Sequence, residues 1–230
     1  MEIYNLLSSD ISAIFITLKL ALITCFFLAI IGTPLAYYLA FESKRSKSFL
    51  EAIVTLPLVL PPTVIGFYLI IFFSPDTFLG NFFIMLTGEQ LIFSFYGLVL
   101  ASIIYSLPFW VQPLQSSFEK IGKDTIRTAY TLGASPLDTF KNIIIPLSKR
   151  GFLTSFIISF AHTMGEFGIV LMVGGGIHGK TKVIAISIYD HVEQLSFGKA
   201  HFLAAGMLIL SFIILLSLFY SNRTRVVGIK

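Results

Sequence analysis

The sequence predicts an all-α, polytopic membrane protein, and three observations support this prediction. Hydrophobic residues make up 56% of the 230 residues, and charged residues make up only 12%. The mean hydropathy is +0.88, whereas a soluble domain carries about 25% charged residues to cover its surface. Several apolar stretches are also long enough to cross a bilayer, which takes about 20 residues per helix. Most of the surface is therefore expected to face lipid.

Five apolar stretches qualify as membrane spans. They lie at about 12–40, 49–73, 92–117, 151–173 and 200–220. A sixth stretch, 183–197, is only partly apolar and carries Asp190, His191 and Glu193. We interpret it as an interfacial or partly inserted helix, so five spans are expected, with six as the alternative. The whole chain, 1–230, is expected to form a single transmembrane domain.

The distribution of Lys and Arg predicts the orientation, because cytoplasmic connections of membrane proteins are rich in these residues. Twelve of the 16 basic residues lie in the 41–48 loop, the 118–150 loop and the C-terminal tail. The connections 1–11 and 74–91 contain none. The N-terminus is therefore expected outside and the C-terminus in the cytoplasm. The 118–150 segment is expected to be a cytoplasmic loop.

Composition also limits the function. The net charge of +4 is modest, and no basic patch is interleaved with aromatic residues, so nucleic-acid binding is not expected. The chain has one cysteine, Cys25, and its four histidines are scattered. This composition offers neither a metal site nor a nucleophile–base pair. We therefore expect a chain with no catalytic role and no cofactor of its own.

The 118–150 loop carries the pattern of two short helices separated by a turn. Gly133 can adopt a positive φ and end the first helix, Ser135 is a favourable N-cap, and Pro136 suits the first helical position. Apolar residues recur at helical spacing up to Ile144, and Pro146 is expected to end the second helix. From the residues alone, the loop is either a functional connection or an amphipathic segment on the membrane surface.

This loop resembles the EAA loop of permeases from ATP-binding-cassette (ABC) importers. The pattern there is Glu-Ala-Ala, three residues, Gly, nine residues, then Ile-x-Leu-Pro, and the spacing matches here, although Arg127 stands at the Glu position. In that family the loop docks as a coupling helix into a separate ATP-binding subunit. The resemblance therefore implies an ATPase-coupling role for Arg127, Ala129, Gly133, Ala134, Ser135, Pro136, Ile143 and Pro146.

The resemblance covers about residues 12–220 and is strongest to molybdate permeases. Leu56 to Gly66 is similar to their Pro-rich second span, and Gly165 to Gly168 reads Gly-Glu-Phe-Gly as theirs does. The resemblance implies the type I ABC importer permease fold and the import of molybdate. Tungstate and sulfate remain alternatives, since all three are tetrahedral divalent oxyanions. A stand-alone secondary transporter is the other alternative, and it would show paired charges and inverted repeats in its spans.

The same resemblance implies the partners and the location. The chain would form a homodimer and would bind ABC ATPase subunits, which hold the ATP and Mg. An extracytoplasmic substrate-binding protein would deliver the anion. The complex would lie, in contact with lipid, in the inner membrane of a prokaryote as a multi-pass protein.

Kinked and polar positions inside the spans are candidates for the translocation pathway. Pro57, Pro61 and Pro62 interrupt the second span, next to Thr63. Glu166 lies in the fourth span, where an ionisable residue is costly and often functional. A bare carboxylate would repel an anionic cargo. Glu166 is therefore expected to be protonated, paired with a cation such as Lys19, or hydrogen-bonded to backbone away from the path, and both a structural and a gating role stay open.

One motif is expected to be misleading. Gly174 to Thr181 matches Gly-x4-Gly-Lys-Thr, the phosphate-binding loop of many ATPases. That loop requires a preceding strand and a following helix in an α/β domain, whereas a membrane span precedes it here. We interpret the segment as a flexible outer connection.

Overall fold

The computed structural model describes residues 2–42 and 46–223, and within these ranges the chain is helical and contains no strand. The helices are α1 (Glu2–Phe41), α2 (Ser46–Val59), α3 (Pro62–Phe73), α4 (Phe78–Thr87), α5 (Phe95–Glu119), α6 (Lys123–Thr131), α7 (Pro136–Thr139), a π-helical turn (Phe140–Ile144), α8 (Ile145–Leu147), α9 (Lys149–Gly165), α10 (Gly168–Gly174), α11 (Ile184–Glu193) and α12 (Phe197–Arg223). Lys44, Arg45, Arg225 and Lys230, which contribute to the orientation prediction, lie outside the described residues.

The core is formed by three long helices, α1, α5 and α9, which pack against one another. Leu28 and Leu39 of α1 and Leu114 of α5 are fully buried there. Gly32 allows the closest approach of α1 to α5, because a Cβ atom on it would lie 2.7 Å from Cδ1 of the Trp110 ring. A tightly packed centre of this kind gives the connecting segments a rigid base.

Three described helices are long and apolar enough to cross a membrane, and the number rises to at most five if each of two bent helix pairs counts as one span. The predicted spans 12–40, 92–117 and 200–220 correspond to the single helices α1, α5 and α12. The polytopic, all-helical prediction is therefore confirmed. Five is the upper count in this part of the chain.

The other two predicted spans are broken, and only the first of them is one of the two bent pairs, since the second pair joins 136–147 to 149–165. The span at 49–73 consists of α2 and α3, which meet at 111°. Pro62 has no amide hydrogen and occupies the first position of α3, so a new helix direction begins there without loss of a hydrogen bond. The span at 151–173 is divided between α9 and α10, and Glu166 adopts an extended conformation at the division.

The stretch at 183–197 contains α11, which has 10 residues and is about 15 Å long, too short to cross a bilayer. It is tied to α1 by a buried polar cluster. His191 Nε2 lies 3.1 Å from both carboxylate oxygens of Asp10, and Ser187 Oγ donates to Asp10 Oδ1 at 3.1 Å. These contacts favour the interpretation of this stretch as a helix that does not span.

Candidate functional site

The 118–150 loop forms a sharp turn between two short helices, as the sequence predicts. Gly133 has φ +86°, and its amide donates to the Tyr130 carbonyl at 3.0 Å. The Ala134 amide donates to the Ala129 carbonyl, also at 3.0 Å. These two bonds form a Schellman motif, which satisfies the last carbonyls of α6. A Cβ atom on Gly133 would meet no atom of the described residues within 4 Å, so glycine is needed here for backbone conformation and not for close packing.

The second helix of the loop begins as predicted but does not end as predicted. Ser135 Oγ accepts a hydrogen bond from the Asp138 amide at 3.2 Å, and Pro136 follows as the first helical residue. The prediction that Pro146 ends this helix is wrong, because Pro146 lies inside α8 and the chain bends by 71° only after Leu147. The π-helical turn at Phe140–Ile144 precedes the proline. Its wider winding relieves the clash between a proline ring and the carbonyl four residues earlier.

The loop is anchored on one side and exposed at its turn. Ile126 and Ile144 are buried in the core cluster, and the Phe140 ring packs edge-on against Tyr37 with ring centroids 5.6 Å apart. Leu132 and Leu137 flank the turn and are 83% and 62% exposed. Exposed apolar side chains beside a rigid turn form a surface suited to a protein partner.

The other residues to which the family resemblance assigns a role in ATPase coupling lie on either side of this turn in the sequence. Ala129 is buried, whereas Arg127 is exposed and pairs with Asp124 of the same helix, with Nη1 and Oδ1 3.5 Å apart. Ile143 is half-buried and Pro146 is exposed. The reversed charge at position 127 is therefore balanced within α6 itself.

The two broken spans meet at their breaks. α3 follows the first break and packs along α10, which follows the second. A Cβ atom on Gly168 would lie 2.9 Å from Pro62 Cβ, and one on Gly66 would lie 2.9 Å from Met172 Sδ. Glycine at these two positions lets the half-helices approach closely. Positions more than 100 residues apart in the sequence are thereby brought together.

Glu166 is buried at the second break, with only 4% of its surface exposed. Its Oε2 accepts a hydrogen bond from Ser102 Oγ of α5 at 3.1 Å, and its Oε1 has no hydrogen-bond partner among the described residues. Ser106 and Thr163 hydroxyls are 2.9 Å apart, and Thr163 donates to the Ser159 carbonyl at 2.9 Å. Ser102, Ser106, Ser159, Thr163 and Glu166 together form a polar seam between α5 and α9.

The expected pairing of Glu166 with Lys19 is not formed. Lys19 is exposed, and its Nζ lies 4.7 Å from the centroid of the Phe95 ring. The described partner of Glu166 is the side-chain hydroxyl of Ser102 and not a backbone group, so it differs from the backbone bonding that the sequence left open. Ser102 was missed by sequence reasoning, although Ser102 and Ser106 are spaced by one helical turn and could have indicated a polar side of α5.

The other pathway candidates are less closely associated with the seam. Pro62 contacts Gly168 and so adjoins the break at Glu166. Pro57 is buried within α2, whereas Pro61 and Thr63 are exposed. Among the described residues, no group of three His, Cys, Asp or Glu side chains could hold a metal ion.

The segment that matches the phosphate-binding pattern follows α10 and closes on itself. Thr181 Oγ1 donates to the Gly174 carbonyl at 2.5 Å and accepts from the Ile177 amide at 2.9 Å. Gly175 and Gly176 both have positive φ. The hydroxyl is thus used to hold the turn, and a helix stands where a phosphate-binding loop requires a strand.

Comparison with known proteins gives a consistent result. The family described as "Binding-protein-dependent transport system inner membrane component" matches residues 32–225. The "Molybdenum transport system permease protein ModB" of Azotobacter vinelandii is 49% identical over 214 residues, which cover 93% of this chain and 95% of that protein. The "Probable sulfate transport system permease protein cysT" of Chlorella vulgaris is 31% identical, over 90% of this chain and 77% of that protein.

A solved structure shares the fold. It is a bacterial alginate ABC transporter in complex with an alginate pentasaccharide-bound periplasmic protein, and one of its chains superimposes with a TM-score of 0.68 at 18% identity. The match covers 92% of this chain and 76% of that one.

Proposed function

Because the chain belongs to the family of binding-protein-dependent transport system inner membrane components, we propose that it is the permease subunit of an ABC importer of molybdate. The observation that carries the proposal is the 49% identity to a molybdenum transport permease, over almost the whole length of both chains. Sulfate is the second candidate cargo, since a sulfate permease relative is also similar, at the lower identity of 31%.

In this proposal the chain carries out no chemistry of its own. Two copies surround the pathway, an extracytoplasmic binding protein delivers the anion, and ATPase subunits bind ATP and Mg. The exposed turn around Gly133 docks on an ATPase subunit. Ile144 and Phe140 connect the turn to α1 and α5. Movement of the ATPase would therefore be transmitted through the turn to the core helices.

The function is tested by reconstituting the chain with its ATPase and binding protein in liposomes and measuring uptake of radiolabelled molybdate. We expect uptake that requires ATP and both partners. Parallel assays with radiolabelled sulfate compare the two cargoes at equal concentration. Uptake by the chain alone would support a secondary transporter and contradict the proposal. Faster uptake of sulfate than of molybdate would show that sulfate is the preferred cargo, and the assignment as an ABC permease would be unchanged.

We further propose that the N-terminus lies outside and that the 118–150 loop is cytoplasmic, and labelling of single cysteines checks this. Cys25→Ser removes the only cysteine, after which Leu132→Cys and Glu89→Cys each introduce one at an exposed position. In cells that produce the chain without its ATPase, which would otherwise cover Leu132, a membrane-impermeant maleimide is expected to label Glu89→Cys in intact cells and Leu132→Cys only after permeabilisation. Labelling of Leu132→Cys in intact cells would contradict the orientation.

A further inference from the structure

A cavity of about 760 Å³ lies between the end of α5 and the beginning of α9. It is lined by Ser116 and Ser117 of α5 and by Lys120 directly after α5, and from α9 by Arg150, Gly151 and Thr154. In each set two adjacent residues are followed, three or four positions later, by the third, so each set occupies one side of the chain at that helix end and the two sides face each other. The cavity is therefore formed mainly by the opposed surfaces of two core helices where they meet the 118–150 loop.

The side chains around this cavity are suited to an anion. Two are cationic, three carry hydroxyl groups, and no Asp or Glu is among the described residues that line it. The adjacent acid Glu119 is engaged elsewhere, because its Oε1 accepts from Lys47 Nζ at 3.3 Å and from Gln115 Nε2 at 3.0 Å. Cationic donors combined with hydroxyl donors favour an oxyanion, whose oxygens accept several charge-assisted hydrogen bonds.

Close packing of the two helices brings these groups together. A Cβ atom on Gly151 would overlap with Ser117 Cβ and would lie 2.6 Å from Ser117 Oγ. Glycine at this position therefore permits α5 and α9 to approach until Ser117 and Thr154 line the same cavity. Ile121 and Leu147, from the two ends of the 118–150 loop, line it as well. A bound anion would thus lie beside both ends of the loop whose turn is proposed to contact the ATPase.

We propose that this cavity binds a tetrahedral oxyanion, held by Lys120 and by the hydroxyl groups of Ser116, Ser117 and Thr154, with Arg150 adding positive charge to the cavity wall. Two sources can supply this chemistry. One is a free oxyanion such as molybdate, and this form rests on the proposed function. The other is the phosphate of an anionic phospholipid, which does not depend on the cargo.

The test uses the full-length chain in complex with its ATPase, without the binding protein, in lipid nanodiscs. One arm uses phosphatidylcholine nanodiscs and measures radiolabelled molybdate binding by equilibrium dialysis. The other uses nanodiscs that contain phosphatidylglycerol and measures, by mass spectrometry, the phosphatidylglycerol retained by the complex. Lys120→Gln removes one charge-assisted contact and is expected to weaken binding about tenfold in the arm that contains the true ligand.

Two further variants separate a specific site from general attraction of anions. Lys149→Gln makes the same charge change one residue before Arg150, at an exposed position that does not line the cavity. We expect the Lys149→Gln complex to bind the oxyanion as tightly as the unaltered complex does. Thr154→Val removes a hydroxyl group at nearly constant volume and is expected to weaken binding about fivefold, whereas Thr154→Ser retains the hydroxyl and the binding.

Equal weakening by Lys120→Gln and Lys149→Gln would overturn the proposal, and so would the absence of binding in both arms. The arm in which Lys120→Gln reduces binding identifies the source of the oxyanion. Molybdate uptake, measured after the binding protein is added to the same complex, tests the proposed function separately. A complex that fails to take up molybdate but retains phosphatidylglycerol through Lys120 would contradict the proposed function and support the site.

Discussion

Replacing Gly133 with valine should lower ATP-driven uptake by about a factor of ten while the chain remains folded. Gly133 has φ +86°, and this left-handed conformation costs a residue with a side chain about 1–2 kcal/mol, with a further cost for a β-branched one. A cost of this size shifts the ratio of formed to unformed turn about 5- to 30-fold. The space around Gly133 is open, so the effect arises from the backbone of the turn and not from a collision.

A matched control is available at the end of α4. Gly88 has φ +76°, and a Cβ placed on it would meet no described atom within 4 Å, so Gly88→Val imposes a similar backbone cost outside the 118–150 loop. Uptake and ATP hydrolysis are measured for both variants in liposomes that contain the complete complex. We expect Gly88→Val to transport normally. Equal transport by the two variants would show that the Gly133 turn does not couple the chain to its ATPase.

Glu166→Ala should both destabilise the chain and reduce transport more strongly than most single substitutions in it. The change leaves the buried Ser102 hydroxyl without its acceptor, which costs about 1–3 kcal/mol, and it opens a space at the break between α9 and α10. Because this break packs near Pro62 through Gly168, the disturbance reaches α3 as well. Thermal unfolding in detergent and molybdate uptake in liposomes measure the two effects.

Glu166→Gln distinguishes the structural role from the gating role. The amide oxygen can still accept from Ser102, so a structural role predicts stability and transport close to those of the unaltered chain. A role that needs the ionisable carboxyl predicts that transport falls as far as in Glu166→Ala, with stability retained. Ser102→Ala, combined with Glu166→Ala, completes a double-mutant cycle. If the two side chains interact directly, the change in the free energy of unfolding of the double variant differs from the sum of the two single changes.

The features predicted best are those that depend on a few neighbouring residues. Ser135 and Pro136 begin a helix through their own hydroxyl group and ring, and Gly133 ends one through its freedom at positive φ, so local chemistry alone determines this turn. The apolar stretches similarly identify α1, α5 and α12, because length and hydropathy are sufficient. The family resemblance found in the same residues is confirmed by the match over 32–225.

The features that could not be predicted depend on packing between segments that are far apart in the sequence. The prolines at 61 and 62 indicate a kink, but neither the 111° angle nor the packing of α3 against α10 can be predicted from them. The break at Glu166 contains no proline, and its partner Ser102 belongs to another helix. Lys19 was the plausible partner by charge, yet the helix packing places it over Phe95. The cavity beside Gly151 likewise exists only where two helices approach.

The contact between the two half-helices has a consequence for how the chain is made. α10 has 7 residues and would be about 10 Å long, against a hydrocarbon layer of about 30 Å. α3, with 12 residues, is also too short to cross alone. α3 emerges from the ribosome about 100 residues earlier, which corresponds to roughly 5–20 s of translation. During that interval α3 can pack against α4 and α5 but lacks its contacts with α10, so the α3 surface that α10 later covers stays exposed at this stage of biogenesis.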